Sequence, residues 1–414
     1  MNSMKTSIAT SFLPAALLPA AMLLACVVHA GDVDRHPGKQ LRYELKRLDS
    51  LGGTSSVGSS INDLGWIAGR SNRLVGNVRH AALWRNGQLI DLGTLGAPDR
   101  TSAVPWPVKN LRGIVSGISY TDEPDPNGED WSCSAFIASS GTRCLGFRWE
   151  NGVMTPLYPF PGGTHSFATA TNNFKQTVGW AENQVEDTTC AGTQKLQFRA
   201  AIWGPQGNIV RELPPLPGKD ANGVRDTSTA ATAINDSGQV VGISGICDVA
   251  VGRLSAKHAV LWEHGKPIKL GDLGIQAWNT PNMINQRGDI VGFAPIPDDN
   301  PADDLDAPTL RAFVKFTGQP IRNLKTLDDA GISSTAKSIN EWRQVVGQSC
   351  DVANVCRAFL WQGGVMTDLN TLVDDQEDLL TIANDIDDFG RVTGQGFDNE
   401  ANKFFAFVAM PVWR

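Results

Sequence analysis

Short apolar runs rich in Val, Ile, Phe and Trp recur from Tyr43 to Ala409, each closed by Asn, Asp, Gly or Pro. Runs this short, bounded by turn formers, predict β-strands. Helix-favouring Lys/Glu/Ala stretches are scarce beyond the N-terminus. The pattern also repeats, and repeats decide the architecture before any single element does. One clear copy runs Ala233-Ile234-Asn235-Asp236-Ser237-Gly238-Gln239-Val240-Val241-Gly242. It continues with His258-Ala259-Val260-Leu261-Trp262, a turn at Gly265, and Ile268-Lys269-Leu270-Gly271-Asp272-Leu273-Gly274.

Seven copies align on the residue that ends the first strand: Asn62, Asn110, Asn172, Asn235, Asn285, Asn340 and Asp387. Seven positions further on, each has a glycine: Gly69, Gly117, Gly179, Gly242, Gly292, Gly347 and Gly394. The spacing between copies ranges from 47 to 63 residues, so insertions fall between fixed motifs. The first two strands are joined by a tight N-D-x-G-type turn. The last two are joined by turns such as Arg85-Asn86-Gly87, where Asn and Gly tolerate positive φ. Each copy therefore predicts a four-stranded antiparallel meander of one propeller blade's length. The first motif, Tyr43–Gly53, is a fourth strand with nothing before it, and the last, Phe405–Ala409, is a third strand. A seven-bladed all-β propeller follows, with its last blade completed by the N-terminal strand. Such closure leaves no open sheet edge.

The strand motifs His80-Ala81-Ala82, His258-Ala259-Val260, Arg311-Ala312-Phe313 and Arg357-Ala358-Phe359 resemble the bacterial extracellular HAF repeats. So do Leu92–Gly96 and Leu270–Gly274, which match the family's Leu-Gly-x-Leu-Gly segment. The resemblance covers about residues 43–409 and is weakest in copy two, at Lys109-Asn110-Leu111-Arg112-Gly113. It implies an exported repeat protein and no particular activity.

Export is also legible at the N-terminus. Lys5, an apolar stretch from Ile8 to Val28, and Val28-His29-Ala30 before Gly31 form a secretory signal pattern over residues 1–30. A linker over 31–42 and the propeller over 43–414 follow. A competing reading takes Leu23-Leu24-Ala25-Cys26 as a lipobox, leaving a lipid anchor on Cys26. Either way no transmembrane segment remains after cleavage, and the protein is secreted, periplasmic or lipid-anchored. Net charge is −7 for the chain, and removing Lys5 with the leader makes it −8. That gives no basic footprint for nucleic acid, and no polybasic run suggests a membrane surface. The six remaining cysteines suggest disulfides in an oxidising compartment. Proximity favours Cys133 with Cys144 and Cys350 with Cys356, which leaves Cys190 with Cys247.

The long variable segments, Ile118–Arg143, Ala181–Gln197, Ser244–Lys257 and Ala294–Leu310, fall between second and third strands. They lie on the opposite face of the ring from the tight turns, and variable loops on a rigid scaffold are where function usually sits. Trp131 and Tyr120 in this region are candidates for ligand stacking. Asp125, Asn127, Glu129 and Asp130 are oxygen ligands at close spacing, although they do not match the full EF-hand loop, so calcium is a candidate cofactor. The column Trp84–Trp361 predicts inter-blade core, and each column Asn predicts a bond to its own turn. No catalytic residue emerges: there is no G-x-S-x-G or H-E-x-x-H motif. The expectation is a monomeric, non-enzymatic exported propeller binding a glycan, a peptide or an envelope protein through its long loops. The alternative is an extracellular polymer hydrolase or lyase on the same scaffold, with paired carboxylates.

Overall fold

The computed structural model describes residues 39–414 except 130, 191, 206–209, 221, 298–308, 329–330 and 375–377. The leader, Cys26, Asp130 and the acidic cluster between Asp298 and Asp306 lie outside the described residues. The fold is all-β. Among the described residues its helical elements are single 3-10 turns at Ser132–Ala135 and Leu369–Leu372. Five sheets have four antiparallel strands each, and a sixth of eight strands joins the last copy to the first. Copy four shows the common plan: Ser228–Ile234, Val240–Gly245, His258–Glu263 and Lys266–Gly271, each pairing with the next. In the last copy the partner of Lys403–Trp413 is the N-terminal strand Leu41–Arg47, antiparallel from Leu41↔Trp413 to Arg47↔Phe407.

The residue columns have physical reasons. Asn172 is typical: its Oδ1 accepts from Phe174 N and Gln176 N, both at 3.0 Å, and so organises its own turn. Its Nδ2 does a second job that the sequence did not predict, donating to Asn235 O of the next copy at 3.1 Å. The same bond runs from Asn62 to Asn110 O (3.0 Å), Asn110 to Thr171 O (3.1 Å), Asn235 to Asn285 O (3.1 Å), Asn285 to Asn340 O (3.1 Å) and Asn340 to Asp387 O (2.9 Å). Copy seven has Asp387, whose carboxylate cannot donate. There Arg391 Nη2 donates to Asp63 O at 2.9 Å, and Asp388 N donates to Asp63 Oδ1 at 3.0 Å. The circuit thus passes from copy seven to copy one. The Trp column makes a parallel statement. Trp203 Nε1 donates to Tyr158 O and Trp262 Nε1 to Pro214 O, each just past the fourth strand of the preceding copy. Trp84 of copy one donates likewise to Asp49 O, just past the N-terminal strand, at 2.7 Å.

The Gly column answers a bulge. In copy four Thr232 is the extra residue between Ala231 and Ala233, and its hydroxyl donates to Pro281 O of copy five at 2.6 Å. The bulge pushes the first strand against the second, so a Cβ on Gly242 would meet Ala230 O at 2.0 Å. All seven column glycines face such a carbonyl at 2.3 Å or less. Gly242→Ala is therefore expected to destabilise by about 3 kcal/mol, read as a fall in the urea midpoint without a change in slope.

Antiparallel order puts the first-to-second and third-to-fourth turns on one face, here called the short-turn face. The second-to-third loops and the connections between copies lie on the other.

Candidate functional site

The long-loop face is elaborated most over copies two to four. Its core is aromatic: Phe167 stacks on Trp180 at 4.0 Å, and Trp106 meets both edge-on. The expected disulfides are present. Cys133–Cys144 ties the copy-two loop to its third strand, Cys190–Cys247 joins the loops of copies three and four, and Cys350–Cys356 closes a copy-six hairpin. Three disulfides suit an oxidising compartment. No helix among the described residues is long and apolar enough to cross a membrane.

Trp131 and Tyr120 are 2% and 3% exposed, so neither offers a ring face to a ligand. Trp131 instead stacks on His165 at 5.6 Å. Of the calcium candidates, Asp125, Asn127 and Glu129 are also turned to other tasks. Asp125 Oδ1 accepts Asn127 N at 2.9 Å, and Asp125 Oδ2 accepts Glu129 N at 2.6 Å. The Asn127 amide donates to Thr164 Oγ1. Among the described residues no three His, Cys, Asp or Glu side chains are placed to hold a metal ion.

Against this loop lies a group the sequence did not reveal. Glu182 is 0% exposed in the second strand of copy three. It accepts His165 N at 2.9 Å, Thr164 N at 3.1 Å and Gln194 Nε2 at 2.9 Å. Its carboxyl also meets Glu129, and burial first, then this contact, pushes its pKa up to about 9. Burial and the neighbouring Glu129 thus favour the protonated carboxyl of Glu182, which puts a hydrogen donor beside an acceptor. Glu129 Oε1 finds no other donor. His165 is held below its ordinary value by burial, against the pull of Asp125 and Glu129. Its Nδ1 accepts Cys144 N at 3.0 Å, which leaves Nε2 to carry the proton towards Asp125 Oδ2, 3.4 Å away. Lys195 completes the strap, its Nζ donating to Asn127 O at 2.6 Å. Two carboxyls in direct contact and buried leave no room for a sugar between them, whereas paired-acid hydrolysis needs about 5–10 Å. The cluster fastens copy two to copy three.

An open pocket of about 500 Å³ lies beside copy four, between the connection Leu216–Asp226 and the third and fourth strands of that copy. Leu216, Pro217, Val224 and Pro267 supply apolar wall, and Lys219, Asp220, Asp226, His258, Lys269 and Gln276 supply polar groups. Asp220 is neutralised by an ion pair with Lys257. Asp226 accepts the Ser244 hydroxyl at 2.7 Å. Burial, with Lys269 and Lys257 nearby, holds the His258 imidazole below its ordinary value, against Asp226 and Asp272. His258 stands at the strand position of Arg199, Arg311 and Arg357, which in sequence suggests a structural role.

No family model and no curated protein matches this chain. Solved structures similar to it include the β-propeller domain of the Trilobed protease from Pyrococcus furiosus, described with an open velcro topology. That domain is 8% identical, with 87% of this chain and 95% of that one covered and a TM-score of 0.48. AofleA from Arthrobotrys oligospora is 13% identical over 79% and 88%, with a TM-score of 0.38. A polysaccharide lyase, an ulvan lyase, is 10% identical over 90% and 96%, with a TM-score of 0.40. At these values the likeness carries no argument about activity.

Proposed function

We propose that this is an exported binding protein of the HAF-repeat kind, its seven copies closed into a seven-bladed ring, which takes its ligand on the long-loop face. The hydrogen-bond circuit through Asn62, Asn110, Asn172, Asn235, Asn285 and Asn340 and back to Asp63 supports the closed ring. The observation that carries the binding reading is the pocket at His258. Its mixture of wall and polar groups suits a glycan bearing acid groups. Lys219 and Lys269 meet the acid, Asp226, His258 and Gln276 meet hydroxyls, and Pro217 and Pro267 meet the apolar faces of sugar rings.

A glycan and polymer array with residues 31–414, with and without EDTA, tests this reading. Retention of acidic glycans that Lys269→Glu reduces at least about tenfold, with EDTA without effect, is the expected result; one lost charge-assisted bond is worth about 1.5–3 kcal/mol. Retention of peptides alone, or of glycans unaffected by Lys269→Glu, contradicts it. Product release from the polymers contradicts the non-enzymatic reading.

A further inference from the structure

We propose that the short-turn face docks on an anionic lipid surface. Leu64, Leu111, Phe174 and Phe389 stand at turn tips on this face, 52%, 45%, 59% and 65% exposed. Leu64, Phe174 and Phe389 each sit two residues after the column Asn or Asp, and Leu111 sits one after. They belong to copies seven, one, two and three, whose turns are joined in that order by the inter-copy bonds above, so they form one arc. Trp342 holds the same tip position in copy six. Its indole N–H donates to Asp388 O at 2.8 Å, and the Arg287 guanidinium lies over its ring. Single apolar side chains on convex tips suit insertion among lipid headgroups, with basic groups around them.

The charge on this face runs against the acidity of the whole chain. The acidic side chains of the first-to-second turns are turned inward, and on the third-to-fourth turns Glu150 pairs with Lys175 and Glu263 accepts Gln239 Nε2. Asp236, Glu341, Asp388 and Asp63 each bond the neighbouring copy's backbone, accepting Asn173 N, Gln286 N, Glu341 N and Asp388 N. Arg85, Arg112, Lys266, Lys315 and Arg322 lie on the turns or strand ends of the same face. Among the described residues, none of these five has a carboxylate within ion-pair distance. A basic side chain near an anionic surface contributes about 1 kcal/mol.

The place where the chain enters the fold argues for the same occupant. Leu41 is level with Trp413, at the end of a third strand, so the N-terminal strand begins at the short-turn face. It does so in copy seven, where Phe389 stands. Cys26 of the lipobox reading precedes Leu41 by fifteen residues, so a lipid on it would keep a bilayer within reach of the fold.

Co-sedimentation of residues 31–414, which carry no lipid, with vesicles of phosphatidylcholine alone or with phosphatidylglycerol tests the proposal. Pelleting with phosphatidylglycerol vesicles only, weakened by salt and at least about tenfold weaker for Phe174→Ser with Phe389→Ser, is expected. Urea unfolding shows whether that variant keeps its fold, and Arg112→Glu with Arg322→Glu provides a second, charge-based variant. No pelleting on phosphatidylglycerol, or pelleting that neither variant reduces, overturns the proposal. So does a soluble dimer that these variants convert to monomer without a lipid effect, which assigns the arc to a second copy. Lys269→Glu is expected to pellet normally, so failure here and failure of the glycan reading are distinguishable.

Discussion

Glu182→Gln is expected to lower stability by about 1 kcal/mol at pH 5, where the bond from Gln194 is lost, and to raise it relative to the unsubstituted protein at pH 9. The sign follows from linkage. Burial and Glu129 raise the folded pKa of Glu182 to about 9, from 4.5. The folded state therefore holds a proton that the unfolded chain releases above about pH 4.5. Its contribution is fully present below that pH and is lost as pH rises towards 9, at about 1.4 kcal/mol per unit. Glutamine keeps an acceptor for His165 N and Thr164 N, gives up the bond from Gln194 Nε2, and has no proton to lose. Urea unfolding of both proteins across pH 5–9 checks this. Parallel curves would mean that Glu182 does not hold its proton in the folded state. Glu129→Gln should act in the same direction, because it removes the charge that opposes ionisation of Glu182.

Deleting residues 31–47 is expected to have the largest effect of any change considered. It removes the strand paired with Lys403–Trp413. With it go buried Tyr43, half-buried Leu41 and Leu45, and the ion pairs from Arg47 to Asp378 and Asp398. Burial of those side chains contributes on the order of 5 kcal/mol, a large share of a typical total of about 5–15 kcal/mol. It also leaves Phe407 and Ala409 on an open sheet edge, a template for aggregation. Expected are a collapse in soluble yield and a broad, early urea transition, partly reversed by a peptide spanning residues 39–51 added in trans. An unchanged midpoint would mean that this strand is an appendage.

What the sequence made legible is what acts at short range. An Asn that organises its own turn, a Gly opposite a bulge and a Trp on a third strand recur at fixed offsets, so the copies could be counted and their strands ordered. Disulfide partners were legible because Cys133 and Cys350 each have a neighbour within a dozen residues. The second role of each Asn, as a donor to the next copy, was hidden because its acceptor is a backbone carbonyl about 50 residues away. The same distance hid Glu129 and Glu182, which are remote in sequence and meet through inter-copy packing. A glutamate ending Val178-Gly179-Trp180-Ala181 was the available signal, since an acid in an otherwise apolar strand needs a partner. Trp131 was misplaced because a long loop was equated with exposure, whereas the Cys133–Cys144 disulfide and the His165 stack draw it inside. The basic face was illegible for a different reason. No run of the sequence is basic, and the fold gathers Arg85, Arg112, Lys266, Lys315 and Arg322 from four copies onto one side.

End-to-end closure is the central claim, and a cross-link tests it directly. Glu44 and Met410 are opposite one another on the paired N- and C-terminal strands, and both are exposed. Glu44→Cys with Met410→Cys, oxidised at low protein concentration, should form an intramolecular disulfide in the monomer, identified by peptide mapping alongside the three native ones. Two free thiols in the folded monomer, or disulfide-linked dimers alone, would contradict closure.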